Sequence, residues 1–121
     1  MHEMGIALEV ARIAREEAAS QGGARVTALR VRVGGWSGVD PESLRFSLET
    51  LVSPTAAEPD DLLSGCRIDL DLVAPEFSCP GCGLRFAASG YLEACPACGA
   101  DGAELVAGDE LSLVELELED P

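Results

Sequence analysis

Lysine is absent from the 121-residue sequence, in which eight arginines accompany 22 acidic residues and the net charge is −14. Proteins that bind nucleic acid depend on lysine and arginine to neutralise phosphates. We therefore expect no nucleic-acid partner. An acidic surface suits cations or basic protein surfaces, although it also serves simply to keep a protein soluble.

Histidine is almost absent as well, because His2 is the only one. One imidazole cannot complete a site of two cysteines and two histidines or a catalytic centre with two histidines. The sequence also lacks a nucleophile elbow, a Gly-rich phosphate loop and a Ser-His-Asp set that His2 could complete. We therefore predict that the protein is not an enzyme and has no catalytic residues.

Long apolar runs are missing too. No uninterrupted stretch approaches the roughly 20 residues of a membrane-spanning helix, and the first residues lack the basic segment of a signal peptide. We expect no membrane association and a cytoplasmic location. Thiols stay reduced in that compartment, which favours metal binding over disulfide formation.

Four of the five cysteines form two Cys-x-x-Cys pairs that are separated by twelve residues. Each pair has proline after its first cysteine and glycine after its second. Proline favours a tight turn, and glycine allows the left-handed backbone conformation in which the chain leaves the metal. Two such turns can place four thiolates around one ion at tetrahedral positions. The spacing predicts a zinc ribbon rather than two disulfides, with structural Zn(II) bound by Cys79, Cys82, Cys95 and Cys98.

Hydrophobic periodicity predicts an α+β fold with two helices on a three-stranded sheet. Helices are expected from Ile6 to Gly22-Gly23, with Ile13 in the apolar stripe, and from the capping residue Asp40 to Pro54. Strands are expected over Val26 to Val33, Arg67 to Val73 and Leu111 to Leu118. In the last strand the apolar alternation slips at Val114, which a bulge would explain.

Charge predicts the order of these strands. The first exposes Arg30 and Arg32, whereas acids are exposed on the second strand (Asp69, Asp71) and the third (Glu115, Glu117, Glu119). Because opposite charges on facing positions are favourable, the first strand should lie between the other two. The cysteine-rich segment interrupts this unit between its second and third strands. The predicted domains are residues 1–74 plus 107–121, and a ribbon over residues 75–106.

His2 can form a nitrogen-rich metal site at the start of the chain. The terminal amine of Met1, the backbone nitrogen of His2 and its imidazole can converge on one ion, a ligand set that favours square-planar Ni(II) or Cu(II). Glu3 and Asp40 are candidate oxygen ligands for the remaining position. The simpler interpretation makes His2 an exposed terminal residue and Asp40 a helix cap. Cys66, outside both pairs, is expected to be a small buried apolar residue.

Together these residues resemble the HypA/HybF family of nickel metallochaperones for [NiFe]-hydrogenase maturation. The resemblance covers Met1-His2-Glu3-Met4, the stretch from Val31 to Phe46 and the two cysteine pairs. It implies nickel held at the N-terminus by backbone nitrogen and His2, with Glu3 implicated and Asp40 associated with the same site, and zinc held by the four cysteines. The implied partners are a HypB-type GTPase, the hydrogenase large subunit and, in some organisms, urease maturation proteins. Gly5 and Cys66 depart from the family pattern.

Two other functions fit parts of the sequence. A rubredoxin-like electron carrier also holds iron with Cys-Pro-x-Cys-Gly turns, but twelve residues is a short spacer for that fold, with only Phe86 and Tyr91 as aromatic residues. A zinc-ribbon interaction module would make His2 incidental. A visible charge-transfer colour would favour the iron protein, and stoichiometric nickel binding distinguishes the nickel carrier from the interaction module.

Overall fold

The chain forms two helices and six strands over residues 3–87 and 94–119, the part that this computed structural model describes. The helices are α1 (Glu3–Ser20) and α2 (Pro41–Val52), and the strands are β1 (Val26–Gly34), β2 (Arg67–Val73), β3 (Glu76–Ser78), β4 (Arg85–Ala87), β5 (Glu104–Ala107) and β6 (Leu111–Leu118). The predicted α+β class is confirmed. The short strands β3, β4 and β5 were not predicted.

The main sheet has the order β2-β1-β6, so the strand with exposed arginines lies in the middle, as its charges predict. β1 is parallel to β2 and antiparallel to β6. Arg30 lies opposite Asp69 on one side and Glu115 on the other. Such cross-strand pairs of opposite charge favour this strand order over one that places acidic strands side by side.

β6 contains the predicted bulge. Leu113 pairs with Val31 of β1 and Glu115 pairs with Arg30, so Val114 has no partner in β1. The extra residue reverses the phase of the alternation and keeps the leucines before and after it on the side of the helices.

α1 packs through a stripe of small residues. Ala7, Ala11, Ala14 and Ala18 are fully buried, which allows the helix to approach its neighbours closely. The prediction that Ile13 is part of this buried stripe was wrong, because Ile13 is 41% exposed. The buried stripe is centred on the alanines, and Ile13 lies at its edge beside β6.

α2 begins as predicted, at the Asp40-Pro41 sequence. Asp40 is the N-cap, its carboxylate accepts a hydrogen bond from the backbone N–H of Glu42, and Pro41 occupies the first turn. Leu44 and Leu48 are fully buried against the rest of the core. The helix ends at Val52, two residues before Pro54.

A second sheet of order β4-β3-β5 is formed by the segment between β2 and β6. It joins the main sheet where Gly34 and Gly108 approach each other: a Cβ atom on Gly34 would overlap the carbonyl group of Gly108. The N–H of Trp36 donates to the Gly108 carbonyl at 2.7 Å. The indole ring of Trp36 also packs edge-on against Phe77 of β3, with 5.7 Å between ring centroids.

Neither α1 nor α2 is both long enough and apolar enough to cross a lipid bilayer.

Candidate metal sites

The two Cys-x-x-Cys turns have the same backbone geometry. The N–H of Cys79 donates to the Leu84 carbonyl and Gly83 donates back to Cys79, both at 2.9 Å. In the second turn Cys95 donates to Ala100 at 3.0 Å and Gly99 to Cys95 at 2.8 Å. The closing glycines, Gly83 and Gly99, have φ angles of 77° and 74°, the left-handed conformation that the sequence predicts for them.

The four thiols of these turns meet at one point. All four sulfur atoms lie within 4.8 Å of one another, with the Cys79 and Cys98 sulfurs 3.5 Å apart and those of Cys82 and Cys95 3.6 Å apart. Zn–S bonds of about 2.3 Å give a tetrahedron with edges of about 3.8 Å. The cluster therefore fits a four-coordinate ion. Four protein ligands fill every position of such a tetrahedron, so no position is left for a substrate.

Backbone N–H groups favour the thiolate form at the first cysteine of each turn. The N–H of Cys98, followed by that of Ala97, lowers the pKa of Cys95 to about 6 against the opposing effect of burial. The N–H of Cys82 lowers the pKa of Cys79 in the same way.

The second cysteine of each turn behaves differently. The N–H of Ala100 would lower the pKa of Cys98, but the neighbouring Cys79 and burial outweigh it and raise that pKa to about 12. Four adjacent thiolates repel one another, so a bound cation is needed before all of them can be ionised together.

The candidate nickel ligands are only partly covered by the described residues. Met1 and His2 lie outside them, so the predicted amine and imidazole ligands remain predictions. Glu3 is the first residue of α1 and is partly buried. It lines an open depression with Met4 and with Glu42, Ser43 and other residues from the first turns of α2.

Glu42 is a second carboxylate of this depression that the sequence did not indicate. It lies 39 positions after Glu3, and only the packing of α1 on α2 brings the two residues to one place. No periodicity or spacing predicts that the two residues line one depression.

Asp40 is exposed, and both of its carboxylate oxygens act in the helix cap. One accepts the N–H of Glu42 at 3.1 Å and the other accepts the hydroxyl of Ser43 at 3.0 Å. Each oxygen retains a further lone pair. The helix-cap interpretation of Asp40 is confirmed, whereas its metal-binding role stays a prediction.

Cys66 is 8% exposed within the main core, as predicted for a small apolar residue. Burial, assisted by the charge of Asp61, raises the pKa of its thiol to about 11. This thiol is therefore protonated at neutral pH and lies apart from the four-cysteine cluster.

Comparisons with known proteins agree with this arrangement. Residues 1–118 match the family model described as "Hydrogenase/urease nickel incorporation, metallochaperone, hypA". Proteins named "Hydrogenase maturation factor HypA" from Geobacter metallireducens and Geobacter sp. strain M21 are 40% and 44% identical to this chain. Each alignment spans 119 residues, 98% of this chain and all of the relative.

Solved structures show the same fold. The solution structure of the Ni metallochaperone HypA from Helicobacter pylori matches with a TM-score of 0.63 at 19% identity, covering 98% of this chain and 97% of that one. A second HypA solution structure matches with a TM-score of 0.69, also at 19% identity and with the same coverage. Taken with the match over nearly the whole sequence, these findings show that the chain belongs to the HypA family of nickel metallochaperones for hydrogenase and urease.

Proposed function

We propose that the chain carries one Ni(II) ion at its N-terminus and delivers it for [NiFe]-hydrogenase maturation. The amine of Met1, the backbone nitrogen of His2 and the His2 imidazole form the nickel plane. This proposal is supported by the family membership and by the chelating geometry of a histidine at position 2. A site on a chain terminus leaves nickel accessible for transfer.

Glu3 is the better placed of the two predicted oxygen ligands. It follows His2 directly and lines the depression at the start of α2, where Glu42 contributes further negative charge. Asp40 is adjacent in sequence to that helix start, but its oxygens already accept two hydrogen bonds. We propose that Glu3 assists nickel directly and that Asp40 acts mainly by holding the first turn of α2.

The four-cysteine cluster binds structural zinc in this proposal. Zn(II) prefers a closed tetrahedral set of thiolates at the spacing seen here. The ribbon domain comprises residues 75–106, and the nickel domain comprises residues 1–74 and 107–121. The rubredoxin-like alternative is not favoured, because the whole-chain match is to nickel metallochaperones.

A maturation factor acts through partner proteins, and the family resemblance implies a HypB-type GTPase, the hydrogenase large subunit and, in some organisms, urease maturation proteins. The acidic surface of this chain suits basic patches on such partners. We place the protein in the cytoplasm, where five unpaired cysteines stay reduced, and assign it no catalytic activity.

Calorimetry with Ni(II) on the zinc-loaded protein tests this proposal. We expect one nickel per chain, and a loss of about a hundredfold in affinity for His2→Ala, since even an outer-shell partner costs about 10–100-fold. Zinc content, measured in parallel, should not change. Equal nickel affinity in the two proteins would overturn the assignment.

Three further variants separate the carboxylates. Glu3→Gln should weaken nickel binding by about tenfold, and Glu42→Gln by less, because Glu42 supplies charge and no ligand. Asp40→Asn should have little effect, since asparagine is an equally good N-cap. A large loss with Asp40→Asn and none with Glu3→Gln would reverse the assignment of the oxygen ligand.

A further inference from the structure

A groove runs between α1 and β6. Its α1 side is formed from Ile13 onward, whereas the depression at Glu3 lies at the start of that helix. We call it the β6 groove; it is lined chiefly by Ile13, Glu17, Gln21, Leu113, Leu116 and Leu118. Ile13 is 41% exposed and the leucines are only partly buried, whereas the middle strand β1 buries Leu29 and Val31 completely. The helices thus leave the apolar face of the sheet uncovered along β6.

β6 is also an edge of the main sheet. Among the described residues it forms strand pairs with β1 alone, so its outer side presents backbone groups to which another strand can bind. A strand added there would run about 4.8 Å beyond β6. Its alternate side chains would point into the β6 groove beside Ile13 and Leu116, where they would complete the apolar layer.

The charges around this edge are acidic. Glu115 and Glu117 are exposed on β6, exposed Glu119 follows the strand directly, and Glu17 lies in the groove wall. In the described part of the chain two arginines approach these carboxylates: Arg30 lies 3.8 Å from Glu115 and Arg67 lies 3.5 Å from Glu117. Both pairs are about half exposed or more, so a partner can compete for either glutamate.

The same glutamates and the bulge at Val114 disfavour a second copy of this chain at the edge. Pairing β6 with another β6 would set glutamates against glutamates, which is destabilising. A strand that carries lysine or arginine at alternate positions would instead form favourable cross-strand pairs with these glutamates. Its cations would face Glu115 and Glu117 while its apolar residues enter the groove.

We propose that the edge of β6 and the β6 groove together bind an extended segment of a partner protein, in which basic and apolar residues alternate. The segment adds as a further strand to the main sheet. This surface shares no residue with the proposed nickel site, so the inference does not depend on which residues bind nickel.

A synthetic peptide tests the proposal. The probe is a peptide of about eight residues with alternating arginine and valine, long enough to pair along a strand, labelled for fluorescence anisotropy and added to the full-length, zinc-loaded protein. Binding should weaken about tenfold when Glu115, Glu117 and Glu119 are all changed to glutamine. Ile13→Asn should weaken it to a similar extent, whereas Leu8→Asn, at a residue of α1 that is 51% exposed and outside the groove, should not.

Two controls make the test specific. A peptide of the same composition with its arginines and valines in separate blocks, and the alternating peptide N-methylated along one edge, should both bind about tenfold more weakly, because strand addition needs alternation and backbone hydrogen bonds. Neutralising three exposed acids outside the groove and β6, Glu58, Asp60 and Asp101, should leave binding unchanged. Equal binding by the control peptides, an equal loss from these three acids, or no binding of the alternating peptide would overturn the proposal.

Discussion

Asp61 shows how one side chain ties an irregular segment to the core. The Arg15 guanidinium of α1 donates to its two carboxylate oxygens at 3.0 and 2.9 Å, and the N–H of Leu63 donates to it at 3.0 Å. The Asp61 side chain is only 12% exposed. Its hydrogen bonds with Arg15, reinforced by the N–H of Leu63, keep the pKa of Asp61 below its usual value despite burial.

The variant Asp61→Asn should lower the free energy of unfolding by about 1–2 kcal/mol at neutral pH, because a bidentate charge-assisted pair is lost. Since the pKa of Asp61 is lower in the folded state than in the unfolded state, its contribution is present above the unfolded value of about 3.9 and is lost as pH falls through the folded value. Urea unfolding of both proteins from about pH 7 to about pH 3 measures this difference.

The exposed neighbour provides the control, and Asp60→Asn should change stability by less than about 0.5 kcal/mol. A stability difference between wild type and Asp61→Asn that stays constant down to about pH 3 would contradict the ion-pair explanation.

At the scale of elements, the two sheets join through close backbone contacts that leave no room for side chains. Gly34 ends β1 directly against the Gly108 carbonyl, and a Cβ on Gly108 would lie 2.5 Å from the Cα of Pro75. Gly108 also has a φ of +106°, which side chains rarely allow. The path of the chain into and out of the second sheet therefore requires glycine at both positions.

Gly34→Ala should destabilise the protein by about 3 kcal/mol or more, since the new methyl group meets backbone that cannot rotate away. Gly5→Ala is the matched substitution: Gly5 lies within α1, and none of the described atoms comes within 4 Å of the place its new methyl group would take. Gly5→Ala should therefore raise the free energy of unfolding by about 0.5–1 kcal/mol. Denaturant unfolding of the two variants and the wild type measures both changes. Equal effects of the two substitutions would show that the Gly34–Gly108 contact is unimportant.

Much of this arrangement is predictable from the sequence, for physical reasons that are local. The charges of Arg30 and Arg32 predict the strand order, and the slipped alternation predicts the bulge at Val114. The four thiols converge because each turn determines its own geometry. The exposed position of Ile13 and the placement of Glu3 and Glu42 in one depression were not predictable, because both depend on how α1 packs on its neighbours.

At the scale of the whole molecule, the second sheet has little core of its own. Among the described residues between β2 and β6, the buried apolar ones are Phe77 and the first cysteine of each turn, Cys79 and Cys95. Phe77 stacks on Phe86 with 6.2 Å between ring centroids. It also packs edge-on with Trp36, which belongs to the main unit, the part of the chain that forms the two helices and the main sheet. A unit this small depends on its metal for stability.

Removal of the metal should therefore unfold the second sheet and leave the main unit folded. Chelation, or Cys79→Ala, should abolish the amide signals of β3, β4 and β5 in NMR spectra, preserve those of β1 and α2, and change the fluorescence of Trp36 as Phe77 leaves it. Cys66→Ala, which changes a cysteine outside the cluster, should retain the metal and the second sheet. Unfolding of the whole chain on chelation would contradict the separation into two units.

The central claim is that nickel binds to the start of the chain, and acetylating the terminal amine of Met1 tests it most directly. Acetylation keeps every side chain but removes the lone pair with which the amine binds nickel, and the sequence has no lysine whose amine would react as well. Calorimetry on the two zinc-loaded proteins should show one nickel per chain in the unmodified protein and an affinity at least about tenfold lower in the acetylated one. Equal nickel affinities would contradict binding through the terminal amine.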